Sequence, residues 1–173
     1  MMGRQHGVES EAEYLAMMIP HHQEAVDRAR ELLEITEREK MVELLESIVA
    51  TQTREIELMR QWLEEWYPDT EVDREYRPMM RSLEGLDPNE ADMVFLEDMQ
   101  MHHMQAVMTS RMLLRWEIAE HEDVEELAGD IIENQLNEID YMRDLYRRWY
   151  EDSIQRHRRP GQMMSLGEPV QPL

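Results

Sequence analysis

The chain repeats itself, and this constrains its fold more than any residue propensity does. Tyr14-Leu15 recurs as Phe95-Leu96, Met18 as Met99, His21-His22 as His102-His103 and Ala25-Val26 as Ala106-Val107, all at an offset of 81. Further on, Ile48 recurs as Ile131, Gln52 as Gln135, Glu55-Ile56 as Glu138-Ile139, Met59-Arg60 as Met142-Arg143 and Trp66-Tyr67 as Trp149-Tyr150, at an offset of 83. Each copy holds two blocks, and the second copy is longer between them.

Every block has helical periodicity. Leu15, Met18, His22, Ala25, Ala29 and Leu32 alternate spacings of three and four, which places them on one buried stripe, copied as Leu96, Met99, His103, Ala106, Ser110 and Leu113. The second helix of each copy has the stripes Val49, Gln52, Ile56, Met59, Leu63, Trp66 and Ile132, Gln135, Ile139, Met142, Tyr146, Trp149. Ser10 with Glu13 and Thr36 with Glu39 have capping-box spacing, and Asp87-Pro88 sets a cap before a first-turn proline. These signals predict helices near 10–34, 37–67, 88–118 and 122–152.

Two helical hairpins in 173 residues make an all-α four-helix bundle, one domain over 9–152. Repeat one spans 9–67, a connection 68–87, and repeat two 88–152. With only six Gly and 33% charged residues, the chain favours helix over strand. At roughly 3.3 Å per extended residue the connection can span a bundle, so a ferritin-like crossover with a pseudo-twofold axis is expected; a plain up-down-up-down bundle is the alternative. Residues 153–173, basic at Arg156, His157, Arg158 and Arg159 and then Pro- and Gly-containing, read as a mobile or loosely docked tail.

Composition removes several function classes. A net charge of −21 repels phosphate backbones and anionic membranes while concentrating cations, so nucleic acid is not an expected partner. No run of 18 apolar residues offers membrane insertion, and Met1-Met2-Gly3-Arg4 lacks the apolar stretch of a secretory signal. Cysteine is absent, which leaves no disulfide, thiolate nucleophile or thiolate metal site. No nucleophilic triad is visible either, so the chain reads as a non-enzyme.

Polar residues on core stripes are the informative ones, because a buried His or Gln needs a hydrogen-bond partner or a metal. Counted outward from the hairpin loop near Thr36, His22 falls level with Gln52 and Met18 level with Glu55; His103, Gln135, Met99 and Glu138 repeat the pattern. Met18 lies three and four residues before His21 and His22, so thioether and imidazole share a helix face, as do Met99, His102 and His103. Thioether sulfur suits copper(I) or silver and is a poor ligand for zinc, magnesium or calcium. The alternative is a metal-free polar layer in which Gln52 and Gln135 satisfy His22 and His103 while the methionines pack. Gln52, Glu55, Gln135 and Glu138 are candidate supporting residues of a metal site, with partnership to His or arginine the alternative for the two glutamates. A di-iron oxidoreductase is disfavoured because the paired Glu-x-x-His motif it needs is missing. Met101, Met104, Met108 and Met112 enrich the third helix in sulfur, and those facing outward would form a second metal site, a peptide-binding face or a homodimer surface.

At Met18-Ile19-Pro20-His21-His22-Gln23, with Gln52, Glu55-Ile56, Met59 and Trp62, the chain resembles the domain-of-unknown-function family numbered 305 over about 10–152. The resemblance implies a ferritin-like fold carrying this hairpin in tandem, and copper binding linked to copper resistance in the periplasm or outside the cell. Carried onto this sequence, the ligand positions it implies are Met18, His21, His22 and Met59, with Met99, His102, His103 and Met142. The cargo expected is copper, with silver next, for sequestration, delivery or resistance; a copper-handling protein is an expected partner. Two departures stand out: Leu145 replaces Trp62 in the second copy, and no export signal precedes the first helix, which implies a trimmed mature chain or a cytoplasmic member.

Overall fold

A computed structural model describes residues 7–151. They form α1 (Glu11–Leu33), α2 (Glu39–Trp66), α3 (Pro88–Arg115) and α4 (Glu122–Tyr146), and α4 runs on into a π-helical turn, Arg147–Glu151. No strand occurs among the described residues. The tail expected over 153–173 lies outside them.

Local chemistry sets most of the helix ends. Ser10 Oγ accepts from Glu13 N at 3.1 Å and starts α1; Asp87 caps α3 through Glu90 N, with Pro88 in its first turn. Thr36 does not cap α2. Its hydroxyl accepts from Arg38 N at 3.3 Å, and α2 begins one residue later without a side-chain cap. The Arg38 side chain instead reaches the other hairpin, so a tertiary contact overrides the local signal. Likewise α3 ends at Arg115, short of the expected 118.

The predicted stripes are the core. All twelve stripe residues of α1 and α3 are buried, whereas Val49, Trp66, Ile132, Tyr146 and Trp149 are half-buried and Ile48, Ile131 and Leu145 lie deeper. Each fully buried Leu, Ile or Met contributes about 1.5–3 kcal/mol. The core falls into two clusters. One joins Leu32, Met41 and Leu44, near the first hairpin turn, to Phe95 at the start of α3 and Met142 and Leu145 at the end of α4. The other joins Tyr14 and Leu15 to Leu113, Val124 and Leu127 near the second hairpin turn. The turns therefore lie at opposite ends, α1 runs antiparallel to α3, and the connection 67–87 crosses the length of the bundle.

The hairpins meet through α1 and α3, with equivalent positions of the two repeats opposed. Tyr14 OH hydrogen-bonds Ser110 Oγ at 2.7 Å, both fully buried. Their counterparts, Phe95 and Ala29, lie buried in the other cluster. The sequence thus substitutes an apolar pair for a hydrogen-bonded pair, and each partner changes with the other.

A matched clamp closes each end. Buried Asp92 takes Arg38 Nη1 at 2.9 Å, with the guanidinium 4.4 Å over Trp149 and bonded to Tyr150 OH. At the repeat-equivalent positions, buried Glu11 takes His121 Nδ1 at 2.6 Å, with the imidazole stacked 3.7 Å from Trp66, and Tyr67 OH donates to Glu11. The wider π turn allows the consecutive rings of Trp149 and Tyr150 both to address Arg38.

Candidate metal centre

Four imidazoles occupy the middle of the bundle. His21, His22, His102 and His103 are each at most 2% exposed. The rings of His21 and His102 stack with centroids 3.7 Å apart and planes 21° from parallel, so the pseudo-twofold axis passes between them. His22 and His103 flank this pair, with centroids 6.1 and 6.3 Å from their sequence neighbours. Sequence spacing alone did not decide whether His21 and His102 turn inward; the close approach of α1 and α3 does.

The carboxylates come from the outer helices. His22 Nε2 meets Glu55 Oε2 at 2.8 Å, and His103 Nε2 meets Glu138 Oε2 at 2.5 Å. The expected His–Gln layer is not formed. Each outer helix sits about one turn out of the expected register, so that Glu rather than Gln faces the imidazole, and among the described residues Gln52 Oε1 and Gln135 Oε1 have no partner. With Nε2 of each ring turned to a carboxylate, the opposite nitrogen, Nδ1 of His22 and of His103, has no partner among the described residues. Carboxylates orient metal-binding imidazoles in this way and raise their basicity.

The central pair is barer still. Among the described residues neither His21 nitrogen has a partner, and His102 Nε2 lies 3.5 Å from Glu24 Oε2, too far for a well-formed bond. Burial, then the neighbouring His102 and His22, drives the His21 pKa well below its ordinary value; burial lowers His102 too, against the pull of Glu24. Both rings are therefore neutral and offer lone pairs. A buried polar atom left unpaired costs about 1–3 kcal/mol, so a cluster of them at the core is a candidate site.

All four predicted sulfur ligands are fully buried. Met18 and Met59 pack in one apolar cluster, Met99 and Met142 in the other, so sulfur lies on both sides of the imidazole layer. Met18 and Met99 sit one helical turn before His22 and His103. Among the described residues no three or more His, Asp or Glu converge as a metal site. A site here must draw on thioether sulfur or on side-chain rotation.

The sequence reading missed Glu24 and the connection it holds. Pro20, inside α1, has no N–H to give the Ala16 carbonyl, which accepts instead from Asp73 N at 3.0 Å. One turn beyond Pro20, Glu24 accepts from Met79 N and Met80 N at 2.7 Å and from Tyr76 OH. Burial pushes the Glu24 carboxyl up, but these donors and His102 outweigh it and hold it down at about 2. The connection thus forms a strap along α1, with Met80 and Leu83 buried. A mid-helix Pro four residues before a Glu was the sequence signal available. Between strap and helix lies a cleft of about 1250 Å3, with Met17, His21, Tyr76 and Met79 on its walls and Glu71 and Glu75 among its acidic residues. On α3, Met101 and Met108 are exposed and Met104 and Met112 half-buried.

The chain is thus a ferritin-like four-helix bundle with paired carboxylate-backed histidines at its centre. It belongs to the family described as Domain of unknown function (DUF305), matched over residues 2–86 and 92–171. Solved structures agree. CopM in its Cu(I)-bound form is 30% identical with a TM-score of 0.73, covering 82% of this chain and 98% of that one. CopM in its Cu(II)-bound form is 29% identical over the same shares with a TM-score of 0.70. A DUF305 protein of Streptomyces coelicolor, described as a candidate secreted protein, is 25% identical with a TM-score of 0.71, covering 82% and 94%. No curated protein matches the chain. No helix among the described residues is long and apolar enough to cross a membrane.

Proposed function

We propose that this chain is a non-enzymatic carrier or sequestering protein for soft metal ions, copper foremost and silver next, acting outside the cytoplasm. One observation carries the reading. His22 and His103 are each held by a carboxylate on Nε2 with Nδ1 unpartnered, one helical turn from a buried methionine. Nitrogen and thioether donors without cysteine suit copper(I), and imidazole also accommodates copper(II). The ligands assigned are Met18, His21, His22 and Met59 with Met99, His102, His103 and Met142; Glu55 and Glu138 orient the rings. The CopM structures support the choice of metal, since that protein is described in copper-bound forms. The net charge of −21 draws cations toward the protein. A thiol-free donor set remains usable where cysteine oxidises, and the Streptomyces coelicolor description supports an extracytoplasmic site.

Anaerobic titration of copper(I) against a competing chromophoric chelator tests this, with the His22→Ala/His103→Ala double variant beside the wild type. Binding that persists unchanged in the double variant, or that does not exceed a Met-poor acidic control, sinks the assignment. The rival reading, a metal-free interaction or dimerisation bundle, predicts no rise in melting temperature when copper is added.

A further inference from the structure

The cleft between the strap and α1 holds donors that the paired core arrangement does not use. His21 reaches its wall, 2% exposed and without a partner on either ring nitrogen among the described residues. Met17 lies one helical turn earlier on the same face, about 6 Å back along the axis. Its side chain is half-buried and lines the same cleft.

The strap supplies a third donor. Met79 N is pinned to Glu24 Oε1 at 2.7 Å, and Glu24, three residues beyond His21, has a side chain that leans back along the helix. The Met79 backbone is therefore held within about one turn of His21, while its side chain stays 41% exposed on the cleft wall. Tyr76 stands edge-on to the imidazole with centroids 6.1 Å apart, and Asp73 N bonds to Ala16 O at 3.0 Å, so the strap is fixed at both ends of this row.

Carboxylates are a poor explanation of this cleft. Glu71 pairs with Arg74 at 3.3 Å, Asp73 accepts from Glu75 N at 2.9 Å, and Arg77 stands on the same wall. What is left is two thioethers and a neutral imidazole, a set that suits copper(I) or silver(I) and not calcium or magnesium. The second repeat has no equivalent. The counterpart of Met17 is Asp98, which Arg81 Nη2 holds at 2.8 Å, and His102 Nε2 turns toward Glu24.

We propose that Met17 Sδ, His21 and Met79 Sδ form a further soft-metal site in this cleft, one per chain, at the open side of the bundle. It rests on the soft-metal reading above and divides the ligands of the first repeat. A neutral imidazole has one lone pair to give, so His21 serves the cleft while Met18, His22 and Met59 serve the core. The site breaks the pseudo-twofold that the core obeys.

Silver(I) nitrate, which is not oxidised in air, is the probe. It is titrated into full-length, chelator-treated protein with isotope-labelled methionine methyl groups, and the methyl and histidine ring-nitrogen resonances are followed by NMR. The methyls of Met17 and Met79 should shift along one binding curve together with the His21 ring nitrogens. Met101 and Met108, 72% and 57% exposed, report adventitious binding to thioethers. In the Met17→Leu/Met79→Leu variant, a volume-conserving exchange, native mass spectrometry should count one silver fewer per chain, with Met18 and Met59 shifting as before. Met17 and Met79 unmoved while Met18 and Met59 respond overturns the cleft site and leaves the core reading standing. Thioether shifts without His21, an unchanged silver count in the variant, or equal response at Met101 and Met108 also overturns it. Silence at every methionine overturns the cleft site and the core reading together.

Discussion

The opposed repeats predict an unusual result for one buried pair. Tyr14 OH and Ser110 Oγ are 2.7 Å apart and fully buried, while their counterparts Phe95 and Ala29 have no polar atom to satisfy. Tyr14→Phe leaves a serine hydroxyl that can turn to a carbonyl of its own helix, so the loss is about 1 kcal/mol. Ser110→Ala strands the tyrosine hydroxyl in the core at about 1–3 kcal/mol. Removing both reproduces the pairing found at the other end, and the double variant should lie within about 1 kcal/mol of wild type, a coupling of roughly 1–2 kcal/mol. Urea unfolding of the chelator-treated protein measures this. With a slope of about 2 kcal/mol per molar, the Ser110→Ala midpoint drops by about 0.5–1.5 M and returns most of the way when Tyr14→Phe is added. A double variant as unstable as the sum of the singles would falsify the claim that these positions are related by the pseudo-twofold.

Four further outcomes follow from the geometry. Glu55→Gln and Glu138→Gln each leave the fold intact and weaken copper(I) binding about 10- to 100-fold in chelator competition, the usual effect of losing the group that orients a ligand imidazole; unchanged affinity removes these carboxylates from the site. Glu24→Ala frees three strap donors, so trypsin should cut at Arg74 or Arg81 at least about tenfold faster than in wild type, with loss of helicity before cleavage as the contrary result. Arg38→Ala uncovers buried Asp92 and should cost roughly 2–3 kcal/mol, below the full buried-pair value because Arg38 is partly exposed; a melting temperature within error of wild type contradicts the clamp. Acid should destabilise the metal-free protein in two stages. His21 and His102 are depressed, so unfolded chains take up protons first as pH falls below about 6.5. Glu11 is also depressed, because bonds from His121 and the Glu120 and His121 N–H groups outweigh the opposing effect of burial. Its stabilisation is present above the ordinary carboxyl range and lost as pH falls through its lower folded value. Calorimetry across pH 7.5 to 3 shows both stages, and a flat melting temperature between pH 7 and 5 refutes the first.

The sequence by itself determined the two-hairpin architecture, the stripes of α1 and α3 and the inward set Met18, His22, Met59, Met99, His103 and Met142. Each of these depends on spacing along a helix, and 3.6-residue periodicity writes such spacing into the chain. It could not supply register between helices. Thr36 has the signature of a cap, but α2 begins at Glu39, where Arg38 reaches Asp92 and Trp149, and Glu55 rather than Gln52 is the partner of His22. It could not show Glu24 as an anchor, since the groups it holds lie far along the chain in a segment without periodicity. The stacking of His21 on His102 was also beyond reach of spacing, because those rings meet only where two helices of different hairpins cross. Tertiary structure decided the polar contacts for one physical reason: hydrogen bonds and ion pairs between elements depend on ångström-scale register, whereas apolar burial needs only the right face.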